Sequence, residues 1–411
     1  MINQHFSPWF LNACLLSFGS LSFILGGGYS IAPFLMMLFF LGILFFGAEV
    51  SRNKNDIIFA SVFAIVFFIG LLDTVIHDQS ISNLDIFSRY LIAVLLVLSL
   101  SVQKINASFL WVGYAVGAIS AGIWAVYAKI ALGMVRISTE ELHPIHFGNL
   151  SLLFSFISLS GVFWALTRND KKLVFLMLLA FISGLSASLL SGTRSGWVAL
   201  PLALFAVYKL YKDILPKKQI KIIVSILVLS LSALILIPQT GVQKRVVEAV
   251  SNVQNYTQGN SSTSVGLRFE MWRSAYEAFI QKPIFGWGEE AFYVFQEKIV
   301  TEKELNPMIL DFNHLHNQYI EELAKRGLIG FAALILLFTV PFKLFYQKTQ
   351  SDNPQVKALG VAGVVSIICM ADFCLTQAML RINSGVMVFV FSLTFLWCCL
   401  RSIENHERAH S

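Results

Sequence analysis

Long apolar runs separated by polar connections recur along nearly the whole chain. An α-helix needs about 20 apolar residues to cross the hydrocarbon core of a bilayer, and in lipid it satisfies all of its own backbone groups. The pattern therefore predicts an all-α polytopic membrane protein. We place about twelve transmembrane helices at residues 8–26, 31–49, 57–76, 88–102, 108–132, 146–166, 173–190, 196–211, 221–238, 328–346, 358–377 and 385–401.

One polar connection is much longer than the others and divides the chain into three parts. It covers residues 239–327, after the ninth predicted helix. Residues 1–238 hold helices one to nine, and residues 328–411 hold helices ten to twelve and the tail. The connection is too long for a turn and mostly lacks low-complexity character. We therefore expect a folded subdomain resting on the membrane.

Two stretches of this loop have helical patterns. Ser264–Gln281 has the spacing of an amphipathic helix that ends before a proline. Residues 313–326 predict a second helix, with Asn313 as the N-cap and Gly327 as the C-terminal stop. The glycine-rich aromatic turn 283–288 lies between them. The loop is therefore expected to be partly helical.

Composition confirms the class and excludes several others. Of 411 residues, 56% are hydrophobic and only 13% are charged, whereas soluble domains carry about 25% charged residues. The five cysteines lie in apolar segments without metal-ligand spacing, so neither a disulfide framework nor a zinc site is indicated. The first residues have no basic region or cleavage site, so we interpret the first apolar run as a retained helix.

The distribution of positive charge predicts the orientation. Lys and Arg are frequent in the short connections on one side of the predicted bundle and sparse on the other. The side rich in these residues faces the cytoplasm in membrane proteins. Both termini are therefore expected to be cytoplasmic, and the long loop is expected to face outward.

His316 is the first candidate for chemistry, in the polar stretch 313–318 at the end of the loop. A histidine can accept the proton of an alcohol and so can act as a general base for transfer onto a hydroxyl group. The alternative is a histidine at a helix start that bonds a carbonyl. His314 lies two positions away, about 200° around a helix, so the pair is not expected to share a face or bind a metal ion.

Two arginines could bind phosphate. Arg194 lies in the tight outward turn 191–196, and Arg268 lies in the first loop helix. Guanidinium groups bind phosphate oxygens in two-point geometry, and a charge this close to hydrocarbon indicates a partner or a function. The alternatives are a lipid headgroup contact for Arg194 and a salt bridge to Glu270 or Glu277 for Arg268.

Other outward residues are weaker candidates, namely Arg136 and His146 around one short connection and Arg381 in another. No glycine-rich nucleotide loop and no acidic nucleotide–metal motif is present in the sequence. We therefore expect no metal, no cofactor and no nucleic acid partner. An activated donor should come from the membrane itself.

The chain resembles the bacterial O-antigen ligases (WaaL), within the group that also includes O-antigen polymerases and O-oligosaccharyltransferases. The likeness covers the full chain in layout. Its most specific part is His316-Asn317, then nine residues, then Gly327-Leu-Ile-Gly330, which is similar to the family pattern His-[Asn/Ser/Gln]-x9-Gly-x-x-Gly. Further similar segments are residues 193–196, 268–272 and 283–288.

The resemblance implies a GT-C-like, inverting, metal-independent glycosyltransferase of the bacterial inner membrane with its site on the periplasmic face. The implied substrates are a polysaccharide on undecaprenyl pyrophosphate and a sugar hydroxyl of lipid A–core, both held among membrane lipids. By position, His316 would be the catalytic base, and Arg194 and Arg268 would bind the pyrophosphate. Supporting candidates are His314, Asn317, Arg136, His146 and Arg381.

Three alternatives stay open at this point. An O-antigen polymerase would use the same donor but a second undecaprenyl-linked glycan as acceptor. A protein O-oligosaccharyltransferase would also use this donor, but such proteins are usually longer. A polysaccharide-lipid transporter would place broken helices and charges near the middle of the membrane, whereas the candidate residues lie near its outer boundary.

Overall fold

The computed structural model describes residues 8–44, 49–193, 195–196, 199–211 and 254–410, with the single residues 218, 225, 232, 247 and 251. Every regular element in these ranges is helical. The α-helices are α1 Pro8–Leu21, α2 Gly28–Leu44, α3 Lys54–Ile76, α4 Leu84–Leu100, α5 Ala107–Ile130, α6 Pro144–Thr167, α7 Lys171–Leu190, α8 Ala199–Tyr211, α9 Ser264–Gln281, α10 Glu289–Glu302, α11 Gln318–Lys348, α12 Pro354–Thr376 and α13 Asn383–His410.

Eight helices among the described residues are long and apolar enough to cross a membrane, namely α3 to α7 and α11 to α13. They make this a multi-pass membrane protein and confirm the all-α prediction. Helices α1, α2 and α8 are apolar but shorter. The predicted span 221–238 lies outside the described residues except for 225 and 232. The total of twelve spans therefore stays a prediction.

Three helices form the centre of the bundle. Helices α6, α12 and α13 are the most deeply buried of the candidate spans. Helix α12 packs against α6, α11 and α13, while α6 packs against α7 and α5. The end of α12 and the start of α6 thereby come together beneath the long loop.

The loop forms a compact unit, which we call the loop subdomain (residues 254–326). Besides α9 and α10 it contains the 3₁₀ helix Pro307–Asp311. Its apolar side chains form a cluster of their own, separate from the bundle core. Helix α10 was not predicted, although Phe292, Phe295 and Ile299 are buried at helical spacing on its inner face.

The second loop helix begins later than predicted. Asn317, not Asn313, is its N-cap, because Asn317 Oδ1 accepts hydrogen bonds from Tyr319 N–H (3.0 Å) and Ile320 N–H (3.1 Å). Residues 312–317 are not helical, and His316 has a left-handed φ of 52°. The two histidines therefore lie in an irregular segment before the helix.

Gly327 interrupts the helix as predicted, but a second helical segment follows at once. Its φ of 60° and ψ of −155° lie in a region that only glycine readily adopts. The interruption leaves backbone groups without hydrogen-bond partners inside the helix. The turn 283–288 supplies partners for them. Leu328 N–H donates to Pro283 O (2.8 Å), and Gly288 N–H donates to Lys325 O (2.8 Å). The two segments therefore form one close backbone crossing.

This crossing leaves no room for a side chain. A Cβ added to Gly327 would lie 2.4 Å from Ile284 O, and one added to Gly286 (φ 71°) would lie 2.4 Å from the Lys325 carbonyl. Since both obstacles are backbone atoms, they cannot rotate away.

We expect Gly327→Ala to lower the Tm of the purified protein in detergent, because it combines backbone strain of about 1–3 kcal/mol with a backbone clash. Gly133→Ala is the control, since Gly133 also has a positive φ (64°) but no atom within 4 Å of an added Cβ. Gly133→Ala should lose only about 1–2 kcal/mol of stability, from its left-handed backbone conformation. Equal losses of Tm in the two variants would contradict the close crossing.

Candidate active site

Gln377, the first residue after α12, contacts three histidines from different parts of the chain. Its Oε1 lies 2.6 Å from His316 Nδ1 and 3.2 Å from His314 Nε2. Its Nε2 lies 3.2 Å from Nε2 of His146, near the start of α6. The structure therefore brings together three of the histidines singled out from the sequence.

The amide of Gln377 defines which ring nitrogens carry hydrogen. A carbonyl oxygen only accepts, so in this amide orientation Nδ1–H of His316 donates to it, and the amide N–H donates to His146. In this orientation both ends of the amide are satisfied. Neutral His316 then has its lone pair on Nε2, the nitrogen able to accept a proton.

The prediction that helical spacing separates His314 from His316 is wrong. Their ring centroids are 4.2 Å apart, because the segment is irregular rather than helical. Among the described residues no group of three or more His, Cys, Asp or Glu side chains could hold a metal ion.

The histidine segment is fixed by bonds on both sides of its backbone. Trp272 Nε1–H donates to Leu315 O (2.9 Å), and Leu315 N–H donates to Glu321 Oε2 (2.9 Å). The hydroxyl of Tyr293 donates to Asn313 O. These bonds hold His316 in its unusual left-handed conformation.

Burial sets the protonation state of both histidines. The pKa of His316 is lowered to about 3, mainly by burial and also by His314 and the positive charge of Arg268, while Gln377 and Glu321 oppose this. Burial likewise lowers the pKa of His314. Both rings are therefore neutral near pH 7. The positive charge of Arg268 thus acts on the His316 ring.

Arg194 lies outside the described residues, but the next residue is described. The hydroxyl of Ser195 bonds Thr376 Oγ1 and accepts from Asn149 Nδ2 (3.1 Å). Thr376 immediately precedes Gln377 in the sequence. The turn predicted to carry the second phosphate-binding arginine is thus attached beside the histidines.

Two other predicted residues have clear structural contacts. Asn317 caps α11 and also donates from Nδ2 to Leu375 O (3.1 Å), which ties the start of α11 to the end of α12. Arg381 forms ion pairs with Glu289 (2.6 Å) and Glu321 (3.0 Å).

Arg136 acts at the edge of the site. Burial lowers the pKa of His143, and the charge of Arg136 lowers it further. The rings of His143 and His146 are 6.0 Å apart. The charge of Arg136 therefore acts on His143, whose ring lies beside that of His146.

A buried ion network lies next to the histidine segment. Glu321 and Lys325, both almost fully buried, are 2.7 Å apart, and Lys325 also contacts Glu289 (3.0 Å) and the Tyr293 hydroxyl (3.0 Å). Arg381 closes the network through its pairs with the two glutamates. We call these five residues the Glu321 network.

A second set of charges joins the loop subdomain to α3. Arg326 pairs with Asp73 (3.1 Å) and Glu322 (3.0 Å). Asp73 also contacts His77 Nδ1 (2.9 Å), while His77 Nε2 lies 3.3 Å from Gly286 O. The subdomain is thus attached to the bundle by charge as well as by backbone bonds.

A cavity of about 230 Å³ lies beside these charges, between α3, α4 and α11. Its lining on α11 is polar at Gln318 and Glu322, near the start of that helix, and apolar at Leu334 and Leu337, further along it. The cavity is therefore amphipathic along its length.

Sequence reasoning did not select Gln377 or Lys325. Gln377 lies 61 residues after His316, at the end of an apolar run where a polar residue is ordinary. Lys325 had a local signal, since it follows Glu321 by four positions on one helix face.

A family model and two relatives are similar to this chain. A family model described as O-antigen ligase matches residues 178–335, which include the loop subdomain and the start of α11. The chain is 31% identical over 398 residues to an uncharacterized protein of Haemophilus influenzae, covering 95% of this chain and 98% of that protein. It is 27% identical over 319 residues to an O-antigen ligase of Escherichia coli, covering 73% of this chain and 74% of that ligase.

We expect Glu321→Gln to destabilise the protein by about 3–5 kcal/mol, because it leaves Lys325 and Arg381 buried with one carboxylate fewer. The measurement is the Tm in detergent. Glu302→Gln is the control, since Glu302 belongs to an exposed pair with Lys298 on α10 and such pairs contribute at most about 1 kcal/mol. A Tm loss no larger than that of the control would show that the network is not a major source of stability.

Proposed function

Because this chain belongs to the O-antigen ligase family, we propose that it transfers a polysaccharide from undecaprenyl pyrophosphate to a sugar hydroxyl of lipid A–core. The family places the chain in glycan transfer related to lipopolysaccharide. The observation that carries the proposal is the arrangement around His316. A neutral imidazole that is bonded at Nδ1 to Gln377 and influenced by the charge of Arg268 has the form that a base beside an anionic leaving group requires.

The proposed reaction is a single displacement. The acceptor hydroxyl gives its proton to His316 Nε2 as its oxygen bonds the anomeric carbon of the donor sugar. The bond between that carbon and the pyrophosphate oxygen breaks, and its electron pair leaves with the pyrophosphate. Attack from the opposite face inverts the anomeric configuration, and no metal ion takes part.

Arg268, together with Arg194, would bind the pyrophosphate and stabilise its growing charge. Guanidinium groups held in place before the reaction favour that charge without reorganising. The bound anion would also offset the effect of Arg268 on His316 and so raise the pKa of the imidazole in the complex. Donor binding would thereby make His316 a stronger base.

The proposed location of the site rests on the nature of the substrates and on the uneven distribution of Lys and Arg between the connections on the two sides of the bundle. Both substrates are lipids, and the amphipathic cavity between α3, α4 and α11 suits a molecule with a polar head and an apolar tail. The Lys/Arg bias supports cytoplasmic termini in the bacterial inner membrane and a site on the periplasmic face.

We expect His316→Ala to reduce transfer by about 10²–10⁴-fold, because the acceptor loses its base. The variant is expressed in a strain that lacks this gene, and its lipopolysaccharide is separated by electrophoresis. His406→Ala is the control, since His406 is exposed near the end of α13. Normal polysaccharide on lipid A–core in a His316→Ala strain with normal protein levels would refute the base assignment.

The strain that lacks the gene also separates ligase from polymerase. Loss of a ligase should leave long polysaccharide on the undecaprenyl carrier. A core that carries one repeat unit would instead indicate an O-antigen polymerase.

Arg268→Ala should raise the KM for the undecaprenyl-pyrophosphate donor at least tenfold, because a phosphate contact is lost. Arg273→Ala on the same helix is the control, since Arg273 is half exposed and pairs with Glu270. Activity should be unchanged by EDTA. Inhibition by EDTA that Mg²⁺ reverses would contradict the metal-independent mechanism.

A further inference from the structure

We infer that Gln377 is a positioning residue that fixes the tautomer and direction of the His316 ring, given the proposed role of His316 as the base. Its Oε1 and His316 Nδ1 are 2.6 Å apart, the shortest of the three contacts between Gln377 and a histidine. A base oriented through the nitrogen that does not react keeps its lone pair on the other one.

The main chain at Gln377 is held on several sides. Its N–H donates to Phe373 O (3.0 Å), and its φ of −155° takes the chain out of the helix. One residue earlier, Thr376 bonds Ser195, and two residues earlier, Leu375 O accepts from Asn317. The residue itself is 2% exposed. The backbone from which the Gln377 side chain extends is therefore held in place.

His146 bonds the other end of the Gln377 amide, whose nitrogen lies 3.2 Å from His146 Nε2 and donates to it. In this orientation the amide oxygen faces His314 and His316, and Nδ1–H of His316 donates to it. Four side chains from α6, the end of α12 and the loop subdomain thus meet around one amide group.

An amide suits this position better than a carboxylate would. It accepts the Nδ1 hydrogen without adding a negative charge close to the proposed pyrophosphate site. A carboxylate would stabilise the protonated imidazole and repel the donor. Within the described ranges, the charged or titratable groups that act on the pKa of His316 are His314, Arg268 and Glu321.

Two substitutions separate positioning from packing. Gln377→Met keeps the approximate shape but cannot bond the ring, so kcat should fall about 10–100-fold with little change in the donor KM. Gln377→Glu keeps an acceptor for Nδ1–H and should retain more activity. Because the added carboxylate raises the pKa of His316, the ring becomes protonated at a higher pH than in the wild type. The acid limb of the pH–activity profile therefore moves to higher pH.

The control substitutes Gln355, at the opposite end of α12, by Met and by Glu, and neither change should move the pH profile. Equal losses in Gln377→Met and Gln377→Glu, with an unmoved acid limb in Gln377→Glu, would overturn the inference and leave Gln377 a packing residue. His316→Ala distinguishes a failure of the Gln377 positioning role from a failure of the proposed base itself. If it is inactive while both Gln377 variants behave as wild type, only the positioning role fails; if it is fully active, the proposed base itself fails.

Discussion

The geometry of the candidate site depends on the buried carboxylate of Glu321. One of its oxygens pairs with Lys325 and Arg381, and the other accepts Leu315 N–H, between the two histidines. Burying these charges is costly, and only close pairing compensates for the lost hydration. The chain therefore cannot bury Lys325 without also bringing Glu321, and with it the histidine backbone, into one position. The same group that neutralises two cations thus shapes the segment that carries His316.

The loop subdomain is attached to the bundle by two kinds of contact that support each other. The backbone crossing at Gly327 joins the turn 283–288 to α11, and His77 from α3 reaches Gly286 O from the other side. Arg326, next to the crossing, pairs with Asp73 of α3. Two segments that resembled family patterns separately in the sequence are therefore the two halves of one contact. Their glycines permit the close approach.

The transmembrane helices could be predicted because twenty-residue apolar runs leave the backbone few alternatives. His316 and Arg268 could be selected by residue type, and the charge of Arg268 acts on the pKa of His316. The cap was misplaced because Asn313 and Asn317 are equivalent by local preference, and only the tertiary contacts of Asn317 with Leu375 decide between them. Gln377 could not be found, since its role arises from contacts 61 and 231 residues away along the chain.

Those separations have a consequence for biogenesis. Helices enter the membrane in the order of synthesis, and His146 and His316 are both made before Gln377. The three histidines share one amide only when Gln377, just after α12, has left the ribosome and α12 has packed between α6 and α11. An unfinished chain can therefore carry these histidines, Arg194 and Arg268 and still lack the assembled site. Completion of the protein and assembly of its site become a single late event.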